Sequence, residues 1–166
     1  LDREEQRGEA LLLVCGCEYA RDVSAIPAAS QGATLIVRRE ALRQWLWEKA
    51  EGWNVKQQDG ALKSALLGYG FDVDPQAAIE RMSEREIETL VLHEEGELAA
   101  GRLLGSEWPR KLDGFTGKRA ELLARAVRDN LADCLVTLPG LLQRDATDSL
   151  HFWFSTFDGL RRELFP

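Results

Sequence analysis

The chain has 166 residues, 45% hydrophobic and 30% charged, with a net charge of −7. That length suits a globular domain able to bury a core without disulfides. The acidity argues against nucleic acid as a principal partner, because duplex affinity is built on neutralised phosphates. The apolar run Leu11 to Cys15 is far too short to span a bilayer, and Asp2, Glu4, Glu5 and Glu9 precede it where a signal peptide wants bases. A cytoplasmic protein with no membrane partner is expected.

Three cysteines are too few for a disulfide framework, and Cys15-Gly-Cys17 has no second pair to make a zinc ribbon. Cys134, in an apolar stretch, reads as a small core residue.

Taken in chain order, residues about 3–20 read as a helix, with the Leu12–Val14 run as a strand alternative. Residues 22–34 read as a loop, and the β-branched Thr34–Val37 as a short extended segment. A helix over about 38–50 places Leu42, Trp45, Leu46 and Lys49 on one face and stops at Gly52. A second covers about 57–68. Asp74-Pro75 opens a short helix to Met82, and Ser83 with Glu86 forms a capping box for a longer one ending at Leu104.

Trp108 to Gly117 is a linker. A helix over 118–138 is halted by Pro139-Gly140. The last helix, 147–164, carries Leu150, Phe154, Phe157 and Leu164 at core spacing, with Trp153 off that stripe. These elements predict an all-α, or nearly all-α, fold: one irregular bundle of about six helices over residues 1–166, with at most one short extended segment in the N-terminal third.

Charge is unevenly spread. Residues 72–97 hold nine acids against two bases, and residues 102–128 hold seven bases against three acids. The two segments are expected to attract each other, or the second to dock an acidic partner.

The chemistry-bearing residues gather in the C-terminal half. His93 and Glu97 are four apart, as are Asp129 and Asp133, and His151 is one of only two histidines. Four apart on a helix is one face. Two imidazoles and three carboxylates suit iron, manganese or zinc better than calcium or copper. Arg125 or Arg128 would orient these ligands or hold an anionic substrate.

Antiparallel hairpins place Asp133 level with His151, whereas Asp129 stands roughly 5 Å beyond His93 and Glu97. At that level an ion pair, Glu97 to Arg125 or Glu94 to Arg128, competes with metal ligation. The order His93-x-x-x-Glu97 does not match the Glu-x-x-His spacing of di-iron bundles. Asp113-Gly-Phe-Thr-Gly-Lys118 fails as a phosphate loop, having Leu112 where its first glycine belongs.

Two functions are therefore expected, the first as the leading reading and the second as the alternative. One is a bundle binding metal or a small ligand at His93, Glu97, Asp129, Asp133 and His151. The other is a non-catalytic protein–protein interaction module whose buried charges form a structural network. In the second, the basic Arg110–Lys118 linker or the spare tryptophans meet a partner, with a homodimer as one form.

Overall fold

In a computed structural model the chain is described over residues 1–19, 26–157 and 159–164. The N-terminal region is a four-stranded mixed sheet made from two hairpins. Strands β1 (Arg3–Arg7) and β2 (Ala10–Cys15) pair antiparallel, as do β3 (Ala28–Gln31) and β4 (Thr34–Arg38). The parallel pair β2–β4 joins the hairpins, in register from Leu11 with Thr34 to Cys15 with Arg38. The sheet order is β1-β2-β4-β3. Gly8 and Gly32 each turn their hairpin at φ +60°, a conformation that glycine adopts without strain.

The fold is thus a helix-dominated α+β arrangement, and the all-α expectation is corrected. The helix expected over 3–20 is a hairpin instead. Ala10, Leu12 and Val14 turn inward while Leu11 and Leu13 stay half-buried, so both faces of β2 are apolar and the period-two signal is erased. Part of the expected 22–34 loop is β3. Residues 20–25, where that loop begins, lie outside the described residues, as does residue 158 of the expected last helix.

Helix α1 (Arg39–Lys56) runs through Gly52 and ends at Gln57, in the left-handed region at φ 50°. Helix α2 (Ala61–Gly68) follows. Helix α3 (Pro75–Leu104) is continuous, its N-terminus capped by Asp74, which accepts from the Ala77 N–H at 3.0 Å. Ser83 does not start a new helix. Its hydroxyl donates back to the Ile79 carbonyl at 2.7 Å, as serine does in mid-helix.

The expected linker contains a short helix, α4 (Trp108–Asp113). Helix α5 (Lys118–Ala132) passes through a π turn (Asp133–Thr137) into α6 (Leu138–Gln143). Pro139 therefore does not stop the helix. The wider turn before it accommodates a ring that would otherwise crowd the carbonyl four residues back. The last expected helix is two, α7 (Thr147–Ser155) and α8 (Gly159–Leu164).

The main core joins both halves of the molecule. Leu12, Val14, Leu35 and Val37 of the sheet pack in one cluster with Leu42 and Leu46 of α1, Ile79 and Met82 of α3, and Phe152 of α7. Arg7 locks β1 to α3, bonding Glu88 at 2.7 Å and Glu95 at 3.1 Å. Burial alone would lower its pKa, but the two carboxylates more than reverse that and raise it above the ordinary value. Among the described residues no helix is long and apolar enough to cross a membrane.

Candidate functional site

The site residues meet because α3 and the α5–α6 helix cross very closely. A Cβ placed on Gly96 would lie 2.5 Å from the Ala132 carbonyl oxygen, so only glycine fits there. Ala132 precedes the π turn, and that turn directs Asp133 inward to 0% exposure, three residues along α3 from the crossing at His93.

Asp133 is fully committed. Its Oδ1 lies 2.8 Å from His93 Nδ1 and accepts from the Thr137 hydroxyl at 2.9 Å, and its Oδ2 pairs with Arg161 of α8. Arg161 also stacks over the Phe157 ring at 4.6 Å. The other ring nitrogen of His93 lies 3.7 Å from Glu97. Glu97 in turn accepts from Arg128 at 2.8 Å, and Arg128 reaches Asp129 at 3.2 Å. The result is a chain of alternating charge, Asp129–Arg128–Glu97–His93–Asp133–Arg161.

Electrostatics follow the geometry. Burial pulls the His93 pKa down, but the Asp133 hydrogen bond and charge, then Glu97, overcome it, and the imidazole titrates above its ordinary value. Burial pushes Asp133 up, and the His93 bond with the charges of His93 and Arg161 holds it below the usual carboxylate range instead. Glu94 is raised, chiefly by burial and then by Glu97. An imidazole set between two carboxylates has the arrangement of an ion pair, whereas metal ligation needs the neutral ring.

Four of the five proposed ligands, His93, Glu97, Asp129 and Asp133, are thus brought into one network, with arginines between them. His151 is not among them. It is half-buried on α7, and among the described residues it makes no hydrogen bond or ion pair. Asp133 faces His93 rather than His151. Among the described residues, no group of three or more His, Cys, Asp and Glu side chains is placed to hold a metal ion.

Arg128 takes Glu97, one helical turn beyond the expected Arg125. Arg125 instead bonds Glu121 of its own helix at 2.8 Å. Cys134 is exposed rather than core, Phe154 is 49% exposed, and Trp153 is buried beside Leu92 and Leu141.

A second polar cluster was invisible in the sequence. Glu86 is 0% exposed between α2, α3 and α7. Its Oε1 accepts from the Tyr69 hydroxyl at 2.6 Å and the Ser149 hydroxyl at 3.0 Å, and its Oε2 accepts from Thr89 at 2.6 Å. No cation faces it among the described residues. Burial, above all, raises its pKa. The only available signal was an acid on the Ile79–Met82 core stripe, and the capping-box pattern with Ser83 concealed it. Tyr69 and Ser149 also line a cleft of about 670 Å³, together with Arg81, Arg85, Glu84 and Asp148.

Residues 43–166 match a family described as "Family of unknown function (DUF6866) C-terminal domain". The chain belongs to this family. The match to DUF6866 begins inside α1, so it takes in both polar clusters and leaves the sheet outside. No curated protein and no solved structure matches the chain.

Proposed function

We propose that this DUF6866 chain is a non-catalytic protein–protein interaction module whose buried charges hold its C-terminal helices together and whose basic α4–α5 face docks an acidic, apolar-faced protein. The observation that carries the first half is the arginine partnering of the network: Arg161 on Asp133, and Arg128 on Glu97 and Asp129.

The second half rests on which charges the fold uses up. The acids of α3 are paired by arginines from several elements: Arg7 with Glu88 and Glu95, Arg39 with Glu84, Arg43 with Glu80, and Arg144 with Glu88. Among the described residues the expected attraction between 72–97 and 102–128 is made by Arg128, which pairs with Glu97 and also acts on Glu94. Lys111 and Lys118 are exposed and form no ion pair among the described residues. Phe115 just before α5, and Leu122 one turn beyond Lys118 on the same face, are each more than 40% exposed. Exposed apolar residues near unpaired bases suit an association surface for an acidic partner.

The test uses an amphipathic peptide with glutamates on its polar face and leucines on the other, and a control peptide with lysines in place of glutamates. The reading predicts saturable, salt-sensitive binding of the acidic peptide alone, lost in a Lys111→Glu/Lys118→Glu variant. Equal binding of both peptides, or none, contradicts it. Equilibrium sedimentation of the chain alone tests whether a second copy is the partner.

The competing reading is a ligand site for iron, manganese or zinc on His93, Glu97 and Asp133. What favours it is that His93 lies 2.8 Å from Asp133 and 3.7 Å from Glu97. The metal would have to displace Arg128 and Arg161 and deprotonate His93.

A further inference from the structure

A cleft of about 850 Å³ lies away from both polar clusters, between the end of α1, the start of α2 and residues of α7 and α8. Its volume is in the range of small-molecule sites. On a chain of net charge −7, its described lining carries four bases, Lys49, Lys56, Lys63 and Arg162, against one acid, Asp59. Asp59 is already taken by Lys63 at 2.6 Å, which holds its carboxyl below the usual range. Lys49 stacks over Trp45 at 4.8 Å. Lys56 and Arg162 are exposed and form no ion pair among the described residues. A concave, mainly basic wall concentrates anions more than scattered surface lysines do.

The same cleft is aromatic. Trp53 is half-buried, and its ring is fixed by donation from Nε1 to the Gln58 carbonyl at 2.9 Å. Phe154 and Phe157 contribute from the opposite wall. Planar apolar groups beside cations fit a ligand with both a flat ring and a multiply charged anion. Helix α2 also begins in this wall, and its N-cap residue Gly60 gives no side-chain cap to the first-turn N–H groups.

We propose that this cleft binds a nucleoside diphosphate or triphosphate, with the phosphates on Lys56 and Arg162 and the base against Trp53. Binding here leaves the α4–α5 face untouched and does not depend on the interaction role.

The probe is ADP, titrated against the full chain by calorimetry and by tryptophan fluorescence at low salt, with pyrophosphate and adenosine as separate arms. Expected is saturable one-site binding of ADP, tighter than either fragment. Lys56→Glu/Arg162→Glu should weaken ADP at least about tenfold, as loss of hydrogen bonds to a charged group does, with an unchanged melting temperature because both residues are exposed. Trp53→Leu should weaken ADP and leave pyrophosphate unchanged. Absence of saturable ADP binding up to about 1 mM, an affinity unmoved by the double reversal, or pyrophosphate binding as tightly as ADP would each overturn the proposal.

Discussion

At the residue scale the decisive pair is His93 with Asp133. The folded pKa of His93 lies above its ordinary 6.5, so its stabilisation is complete below that pH and fades as pH rises through the folded value. The folded pKa of Asp133 lies below its ordinary 3.8, so its stabilisation is present above that pH and fades as pH falls. Glu97, Arg128 and Arg161 stand around the pair, from α3, α5 and α8. The stability gap between wild type and His93→Gln, measured by urea unfolding, should therefore be widest between about pH 4 and 6.5. A gap that stays flat from acid to alkaline pH contradicts the ion pair. Asp133→Ala, which strands Arg161 and His93, should cost about 3–5 kcal/mol.

Glu86 behaves in the opposite sense. Its folded pKa lies above the ordinary 4.5, mainly through burial, so the native state holds a proton that the unfolded chain releases, and stability falls as pH rises past that value. Glu86→Gln should raise the melting temperature at alkaline pH and leave it unchanged near pH 4. Glu86→Ala, which leaves three hydroxyls without their acceptor, should cost about 1–3 kcal/mol. Destabilisation by Gln that grows with pH would show instead that the carboxylate is charged and well compensated.

At the element scale the α3–α5 crossing sets the level at which the charges meet, and Gly96 sets the crossing. Gly96→Ala drives a methyl into the Ala132 backbone and should cost about 1–3 kcal/mol. Gly101, on the same helix with nothing within 4 Å of its would-be Cβ, supplies the control: its change to alanine should stabilise by about 0.5–1 kcal/mol. Equal effects at the two glycines in chemical denaturation would mean that the crossing is looser than described.

Helix periodicity was legible in the sequence over α1, α3 and α5, because long apolar stripes repeat there. Punctuation was less so. Gly52, Ser83 and Pro139 are each compatible with a stop, and each is overridden: Gly52 and Ser83 by continuous packing, Pro139 by the π turn. That turn also rotated Asp133 away from His151 and toward His93, a change that a uniform 3.6-residue helix does not contain.

At the scale of the whole molecule, the sheet was hidden because β1 is polar and β2 apolar on both faces, so neither shows alternation. The ion-pair alternative was legible as a competition between arginines and metal for the same carboxylates, although Arg128 rather than Arg125 takes Glu97. Glu86 was not, since its donors come from three elements far apart in sequence. At this scale the acids of α3 are tied by arginines from the sheet, α1, α5 and the end of α6, which holds the elements together.

The most direct measurement is metal content by mass spectrometry on untagged protein, as purified and after reconstitution with iron, manganese or zinc, beside His93→Ala and Asp133→Ala. The ion-pair account predicts no stoichiometric metal in any sample and a loss of stability in both variants. About one equivalent of metal in the wild type, lost in both variants with the fold intact, would contradict it and make the His93–Asp133 cluster a metal site.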